Sequence, residues 1–149
     1  MPSIKVTPTK GLFQAKGTTA IPNGSLSGHK RVVLDKDDDY TLTVADSGKV
    51  ITMSKGSAMT ITLPSVSDSK GCYFTVEAAT AFNHVITELV SADTNVLTLI
   101  SVQATATTRA HAFTTATLSA GQIGDRFNIY SDGTFWVITA LSEAAVTAA

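Results

Sequence analysis

From Arg31 onward, short apolar runs alternate with polar residues and end in turn residues, and this pattern restricts the fold more than any other feature. In the clearest run, Met59, Ile61 and Leu63 alternate with two threonines before Pro64 ends the run. Such runs recur at intervals of about 8 to 12 residues, which is typical of short β-strands joined by tight turns. Because successive strand residues point to opposite faces, we expect the three apolar residues on one face and the threonines on the other.

Eight alternating runs make up most of a predicted β domain, residues 31–141. They are residues 40–44, 49–53, 58–63, 73–76, 85–90, 96–102, 126–130 and 134–139. Asp132 and Gly133 separate the last two runs, and an Asp-Gly pair in that position is typical of a β-hairpin. With no credible long helix, the predicted fold is all-β: a β-sandwich or small barrel of about 8 to 10 short antiparallel strands.

Two segments give weaker predictions. Residues 104–120 are rich in Ala and Thr and low in complexity, so they are either a loop or a weak strand. Residues 142–149 are predicted to be a C-terminal tail that forms at most a helical turn, because Ser142 can cap it and alanines follow. A helix of that length is not stable alone.

The composition agrees with β structure and with a surface that is partly covered. The chain has 23 threonines, and branched side chains pack well on pleated sheets. Charged residues make up 15% of the chain, against about 25% in an ordinary soluble domain. Such a surface is either the exterior of a robust particle or is covered by other subunits, and we expect a homotrimer.

The charges are segregated along the chain. Five basic residues precede Asp35, the first acidic residue, and all twelve acidic residues then follow with the other six bases. The five are Lys5, Lys10, Lys16, Lys30 and Arg31. The net charge of −1 therefore conceals about +5 at the start and −6 in the remainder, an asymmetry that indicates an acidic partner for the basic part.

Residues 1–30 are predicted to be an extended basic arm that orders on a partner. Prolines and glycines are dense in this segment, which predicts the absence of regular ladders. Leu12, Phe13 and Ile21 are its apolar anchors, and the lysines are spaced around them. Together with the five bases they form the predicted binding site of the arm. The alternative is a leader without fixed structure.

The sequence predicts no enzyme, no metal site and no cofactor. His29, His84 and His111 lie far apart, so a zinc site would have to be assembled from distant loops. The acidic residues between Asp35 and Asp39 lack the spacing of a calcium-binding EF-hand and are interpreted as a solvated turn. Neither a nucleophile elbow nor a phosphate-binding glycine loop is present.

Nucleic acid and membranes are not expected as partners. The arm lacks the arginine clusters and interleaved aromatic residues of single-strand binders, and the acidic body would repel a polyanion. No run approaches the roughly 20 apolar residues of a membrane span, and the first residues do not form a secretory signal.

Three residues of the body are predicted to lie in the core. Cys72 is flanked by apolar and aromatic residues and is interpreted as an inert buried thiol. Tyr130 and Trp136 belong to the last hairpin, where aromatic residues are more often core than exposed sugar-binding groups.

Four segments of the body resemble a family of tailed-bacteriophage virion proteins. They are residues 40–51 (YTLTVADSGKVI), 59–64 (MTITLP), 71–74 (GCYF) and 124–136 (GDRFNIYSDGTFW). The resemblance covers about residues 39–138, and it implies a β-rich structural domain of a phage head or tail fibre. The shared positions are turns and core, so the resemblance carries over no functional residue.

Size and the arm favour one role within that family. The resemblance implies a capsid decoration, or cement, protein that lies on the outer surface of the virion capsid and binds the major capsid protein. Fibre proteins are generally longer, with a tail-attachment domain and a shaft. The alternative is a short tail-fibre or receptor-binding protein that recognises a host surface glycan. A cellular lectin-like or catalytic β domain is a third, weaker hypothesis.

Overall fold

The computed structural model describes residues 4–7, 11–14, 31–89, 96–103, 107–143 and 145–149. The chain divides into two compact units, residues 1–30 and 31–149. In the first unit, strand β1 (Ile4–Thr7) pairs antiparallel with β2 (Gly11–Gln14). This ladder corrects the prediction that prolines and glycines exclude regular pairing. Pairing is compatible with this composition because neither strand contains a proline.

The second unit contains twelve strands within its described residues. They are β3 (Val33–Lys36), β4 (Tyr40–Thr41), β5 (Val50–Met53), β6 (Thr60–Thr62), β7 (Tyr73–Ala78), β8 (His84–Thr87), β9 (Leu97–Gln103), β10 (Thr107–Phe113), β11 (Thr115–Leu118), β12 (Arg126–Ser131), β13 (Trp136–Ser142) and β14 (Val146–Ala148). Two short 3-10 turns, Val44–Asp46 and Ser67–Ser69, complete the regular structure.

These strands form two mixed sheets that pack against each other. The seven-stranded sheet has the order β10-β9-β13-β12-β7-β5-β3, and the five-stranded sheet has the order β14-β11-β8-β6-β4. Alternate side chains of both sheets bury one common hydrophobic core. The predicted all-β fold is therefore confirmed, and of the two predicted alternatives, sandwich and small barrel, it is the sandwich.

From β3 to β8 the chain winds around the core, and successive strands alternate between the two sheets. Strands β3, β5 and β7 consequently lie side by side and parallel in one sheet, as β4, β6 and β8 do in the other. Later strands extend each sheet: β12 pairs antiparallel with β7, β13 with β12, and β11 with β8. This winding brings together residues that are distant in sequence.

The predicted number and direction of the strands need correction. The second unit has more than 8 to 10 strands, and five of its strand pairings are parallel. The physical reason is that a period of two marks which side chains face inward, whereas the direction of a neighbouring strand depends on the connection between them.

The core is built from the apolar positions of the alternating runs. Met59, Ile61 and Leu63 are buried, as predicted. The rings of Phe74 and Trp136 have centroids 5.7 Å apart, and both residues are almost fully buried. The indole Nε1 of Trp136 donates a hydrogen bond of 3.1 Å to the Pro64 carbonyl oxygen, so its polar group is satisfied. The predicted core positions of Cys72 and Trp136 are confirmed.

The weakly patterned segments are strands. The Ala/Thr-rich stretch 104–120 contributes β10 and β11, so its alternative as a strand is correct there. The helical turn predicted in 142–149 is wrong, because β14 pairs antiparallel with β11 and extends the five-stranded sheet. Strand β11 supplies main-chain hydrogen-bond partners to β14. This pairing, which the local sequence does not reveal, overrides the helical preference of the alanines.

Candidate binding faces

Each sheet turns every second side chain outward, and the outward residues of β7 and β12 differ in chemistry from those of the five-stranded sheet. The face formed by β7 and β12, called here the tyrosine face, consists of the cross-strand pairs Tyr73–Tyr130, Thr75–Asn128 and Glu77–Arg126. The outer face of the five-stranded sheet, called here the threonine face, consists of Thr41, Thr60, Thr62, Val85, Thr87, Thr115, Thr117 and Thr147.

Two half-exposed tyrosines stand directly opposite each other on the tyrosine face. Tyr73 and Tyr130 are each 51% exposed, and opposite residues of antiparallel strands have Cβ atoms about 5 Å apart. The predicted core position of Tyr130 is therefore wrong. Phe127 and Ile129 occupy the inward positions of β12, so the period of two turns Tyr130 outward.

A tight turn before β5 holds Tyr73. The Tyr73 N–H donates to Ser47 Oγ at 3.1 Å, and the Gly48 N–H donates to the Tyr73 carbonyl oxygen at 2.8 Å. Gly48 has φ +86°, and a Cβ added there would lie 3.2 Å from Tyr73 Oη. Glycine is thus favoured for its backbone conformation, and a Cβ at this position would crowd the Tyr73 hydroxyl.

Asp46 stabilises this turn from inside. Its Oδ2 accepts hydrogen bonds from the Thr43 hydroxyl (2.8 Å), the Thr43 N–H (3.0 Å) and the Tyr40 hydroxyl (3.3 Å). Its Oδ1 forms a 2.8 Å ion pair with Lys49. Burial raises the pKa of Asp46, but the hydrogen bonds from Lys49 and Thr43 outweigh burial and lower the pKa to about 2.

Polar groups continue the tyrosine face along the two strands. In the middle pair, Arg31 Nη1 donates to Thr75 Oγ1 at 3.1 Å, and Thr75 Oγ1 donates to Asn128 Oδ1 at 3.3 Å. In the next pair, Arg126 lies 3.4 Å from Glu77. Successive pairs lie about 7 Å apart along the strands. The face therefore runs from aromatic to amide to charged groups over about 14 Å.

The threonine face carries neither aromatic nor ionisable side chains at its outward positions. Thr41, Thr62, Thr87 and Thr115 form one row across four neighbouring strands. Branched side chains in adjacent strands pack their methyl groups together, which stabilises the sheet. Folding alone accounts for this composition.

The structure leaves the predicted arm site only partly described. Lys5 lies in β1, opposite Phe13 of β2, and Leu12 precedes it in β2. Lys10, Lys16, Ile21 and Lys30 lie outside the described residues. Arg31 belongs to the second unit, where its guanidinium contacts Thr75.

The acidic turn near Asp39 contains structural hydrogen bonds. Lys55 Nζ lies 2.9 Å from Asp38 and 3.1 Å from Asp39. The N–H of Thr60 donates to Asp39 at 3.0 Å, and this bond, followed by that from Lys55, lowers the pKa of Asp39. The turn is thereby tied to β6. Among the described residues, no group of three or more His, Cys, Asp or Glu side chains is placed to hold a metal ion.

The two described histidines lie apart. His84 is fully buried, with Nε2 3.1 Å from the Thr80 carbonyl oxygen and Nδ1 without a hydrogen-bond partner in the described chain. His111 is exposed, and its Nδ1 lies 2.7 Å from the Thr98 hydroxyl. His29 falls outside the described residues.

Comparison with known proteins provides no identification. No family model, curated protein or solved structure matches this chain. In the described part of the chain, no helix has the length and hydropathy that crossing a membrane requires. The candidate site therefore depends on the chemistry of the tyrosine face and on the charge of the N-terminal unit.

Proposed function

We propose that the protein is a bacteriophage capsid decoration protein, displayed on the outer surface of the virion capsid and bound to the major capsid protein. The observation that carries this proposal is the segregation of charge between the two units. Residues 1–30 contain four lysines and no acid, whereas residues 31–149 contain seven bases and twelve acids, a net charge of −5. The first unit suits an acidic shell, and the second suits display.

In this mechanism the N-terminal unit binds the shell and the sandwich projects from it. Main-chain hydrogen bonds from an added strand supply affinity, and Leu12, Phe13 and Ile21 supply apolar contacts. A homotrimer would link several weak contacts and so raise the overall avidity. Each bound copy stabilises the assembled shell by RT ln(1 + [L]/Kd), which is about 2.7 kcal/mol per site when the free protein is at one hundred times Kd.

A charge-reversal experiment tests the proposal in the full-length protein. Lys10→Glu combined with Lys16→Glu should weaken binding to purified expanded capsids by about tenfold or more, measured by co-sedimentation. Wild-type binding should weaken as salt rises, because the Debye length is about 8 Å at physiological ionic strength. Lys70→Glu reverses one charge on the exposed surface of the sandwich, so it is the control for Lys10→Glu and Lys16→Glu made singly, and it should bind normally. Equal binding by all variants would contradict the proposal.

Copy number separates this function from the fibre alternative. Quantitative gel densitometry of purified virions should find hundreds of copies of a decoration protein, against a few dozen at most for a fibre tip. Capsids stripped of the protein should release their DNA at a lower temperature than decorated capsids. Equal thermal stability of the two would contradict the stabilising role and favour the receptor-binding alternative.

A further inference from the structure

We propose that the tyrosine face binds an oligosaccharide. The rings of Tyr73 and Tyr130 stack on sugar rings, and Asn128 with the Glu77–Arg126 pair hydrogen-bonds sugar hydroxyls. The proposal goes beyond capsid binding and does not depend on it, because every residue that it uses lies in the sandwich.

The aromatic pair supplies the first argument. A pyranose ring has an apolar C–H face and a rim of hydroxyls, so it is complementary to an aromatic ring that carries a polar tip. Tyr73 and Tyr130 are each half exposed and lie next to each other. Neither phenol hydroxyl has a hydrogen-bond partner among the described residues. Both hydroxyls therefore remain able to donate and to accept.

The main chain of Tyr73 is also held in place before any ligand arrives. Ser47 and Gly48 each hydrogen-bond its main chain, and Gly48 leaves the space beside its hydroxyl. Asp46 stabilises that turn through Thr43 and Lys49. With the main chain fixed, binding has only the rotation of the side chain to restrict, which lowers the entropic cost of binding.

The neighbouring polar pairs supply the second argument. Asn128 is exposed and uses only its Oδ1, which accepts from Thr75, so its two amide N–H groups remain available within the described structure. At the next pair, the planar carboxylate of Glu77 can accept hydrogen bonds from sugar hydroxyls, and the planar guanidinium of Arg126 can donate to them. Three successive pairs over about 14 Å match a short chain of sugars lying along the strands.

A second copy of this chain fits the tyrosine face less well. The cores of protein interfaces are depleted in charged residues, whereas Glu77 and Arg126 stand beside the central pair of this face. Burying them under another subunit would remove water from both charged groups, which is costly. A bound oligosaccharide leaves water at the interface, so Glu77 and Arg126 stay hydrated.

The test uses the full-length protein on an array of oligosaccharides that includes chitohexaose, maltohexaose and hexameric galacturonate. Titration calorimetry with the best-bound glycan should show that Tyr73→Ala and Tyr130→Ala each weaken binding by about five- to tenfold. Tyr73→Phe should stay within about threefold of wild type, because it keeps the stacking ring. Thr62→Ala combined with Thr117→Ala is the matched control on the threonine face and should bind normally.

Two results would overturn the proposal. One is wild-type protein that binds no glycan on the array. The other is glycan binding that survives replacement of both tyrosines by alanine in a protein whose unfolding remains cooperative. If the wild type binds no glycan and the tyrosine variants convert an oligomer to monomer in light scattering, the face belongs to a second copy. Capsid co-sedimentation of the same variants should be unchanged, which separates this proposal from that for the N-terminal unit.

Discussion

The tyrosine face and the threonine face cover the same hydrophobic core from opposite sides, yet they share almost no chemistry. The tyrosine face places aromatic, amide and charged groups in successive pairs. Arg31, which precedes β3, donates a hydrogen bond to Thr75 of the middle pair. The threonine face repeats one branched, uncharged residue across its strands. Both faces support sheet formation, so folding does not require the aromatic and charged groups of the first. Their presence indicates a binding role on that side.

The contrast extends to the support beneath each face. A turn with a buried carboxylate and a left-handed glycine holds Tyr73. A left-handed backbone costs a non-glycine residue about 1–2 kcal/mol, so this position favours glycine. The outward threonines take their positions from strand pairing. A residue that needs a dedicated turn is a better candidate for function than one placed by the ladder.

The largest expected effect is a difference in the free energy of unfolding between substitutions on the inner and the outer side of β7. Phe74→Ala should lower the free energy of unfolding by about 3–5 kcal/mol, because the ring is buried against Trp136 and a cavity would remain. Tyr73→Ala, one residue earlier and half exposed, should cost less than about 1 kcal/mol. Urea denaturation measures both. Similar losses would mean that Tyr73 is a structural residue, and the tyrosine face would lose its functional interpretation.

The next effect concerns the carboxylate beneath Tyr73. The pKa of Asp46 is lowered from 3.8 to about 2 in the native protein, so the native state is stabilised above pH 3.8 and loses this stabilisation as the pH falls through about 2. The difference corresponds to about 2 kcal/mol. Asp46→Asn should therefore be about 2 kcal/mol less stable at neutral pH and should show less loss of stability on acidification.

The control for this prediction is Asp68→Asn, which removes an exposed carboxylate from the other 3-10 turn. It should leave the unfolding free energy within about 0.5 kcal/mol of wild type. If Asp46→Asn is as stable as Asp68→Asn from pH 7 down to pH 3, the ion pair with Lys49 does not stabilise the turn.

A smaller effect is expected at Gly48. Gly48→Ala should cost about 1–2 kcal/mol, because its φ of +86° is unfavourable for alanine and the new methyl would meet Tyr73 Oη. It should also weaken glycan binding a few-fold by displacing the ring. Gly56→Ala is the matched control, since nothing lies within 4 Å of a Cβ there. Equal stability and equal glycan binding of the two variants would remove Gly48 from the support of the site.

The alternation of apolar residues was sufficient to predict the core and the outward threonines of β6, but not which outward residues are neighbours across strands. It placed Met59, Ile61 and Leu63 inward correctly, because burial depends on a period of two along one strand. The same period, applied strictly to Phe127 and Ile129, would have placed Tyr130 outward. Aromatic character alone predicts a core position for Tyr130, but the position of a residue in the alternation decides which face of the sheet it occupies.

The tyrosine pair could not have been predicted from local sequence. Tyr73 and Tyr130 are neighbours only because β12 pairs with β7, and that pairing follows from the winding of β3 to β8 between two sheets. The connections between these strands differ in length, so the sequence has no fixed repeat from which the winding could be predicted. Once the strand order is known, cross-strand pairing assigns the neighbours of every outward residue.

The smallest effect is expected on the threonine face. Thr62→Val and Thr117→Val keep the branched shape and remove a hydroxyl that has no hydrogen-bond partner among the described residues. Valine also fits a pleated surface well. Each variant should therefore stay within about 0.5 kcal/mol of wild type in urea denaturation and should bind glycans and capsids normally. A loss of capsid or glycan binding without a loss of stability would give the threonine face a recognition role and end the functional contrast between the two faces.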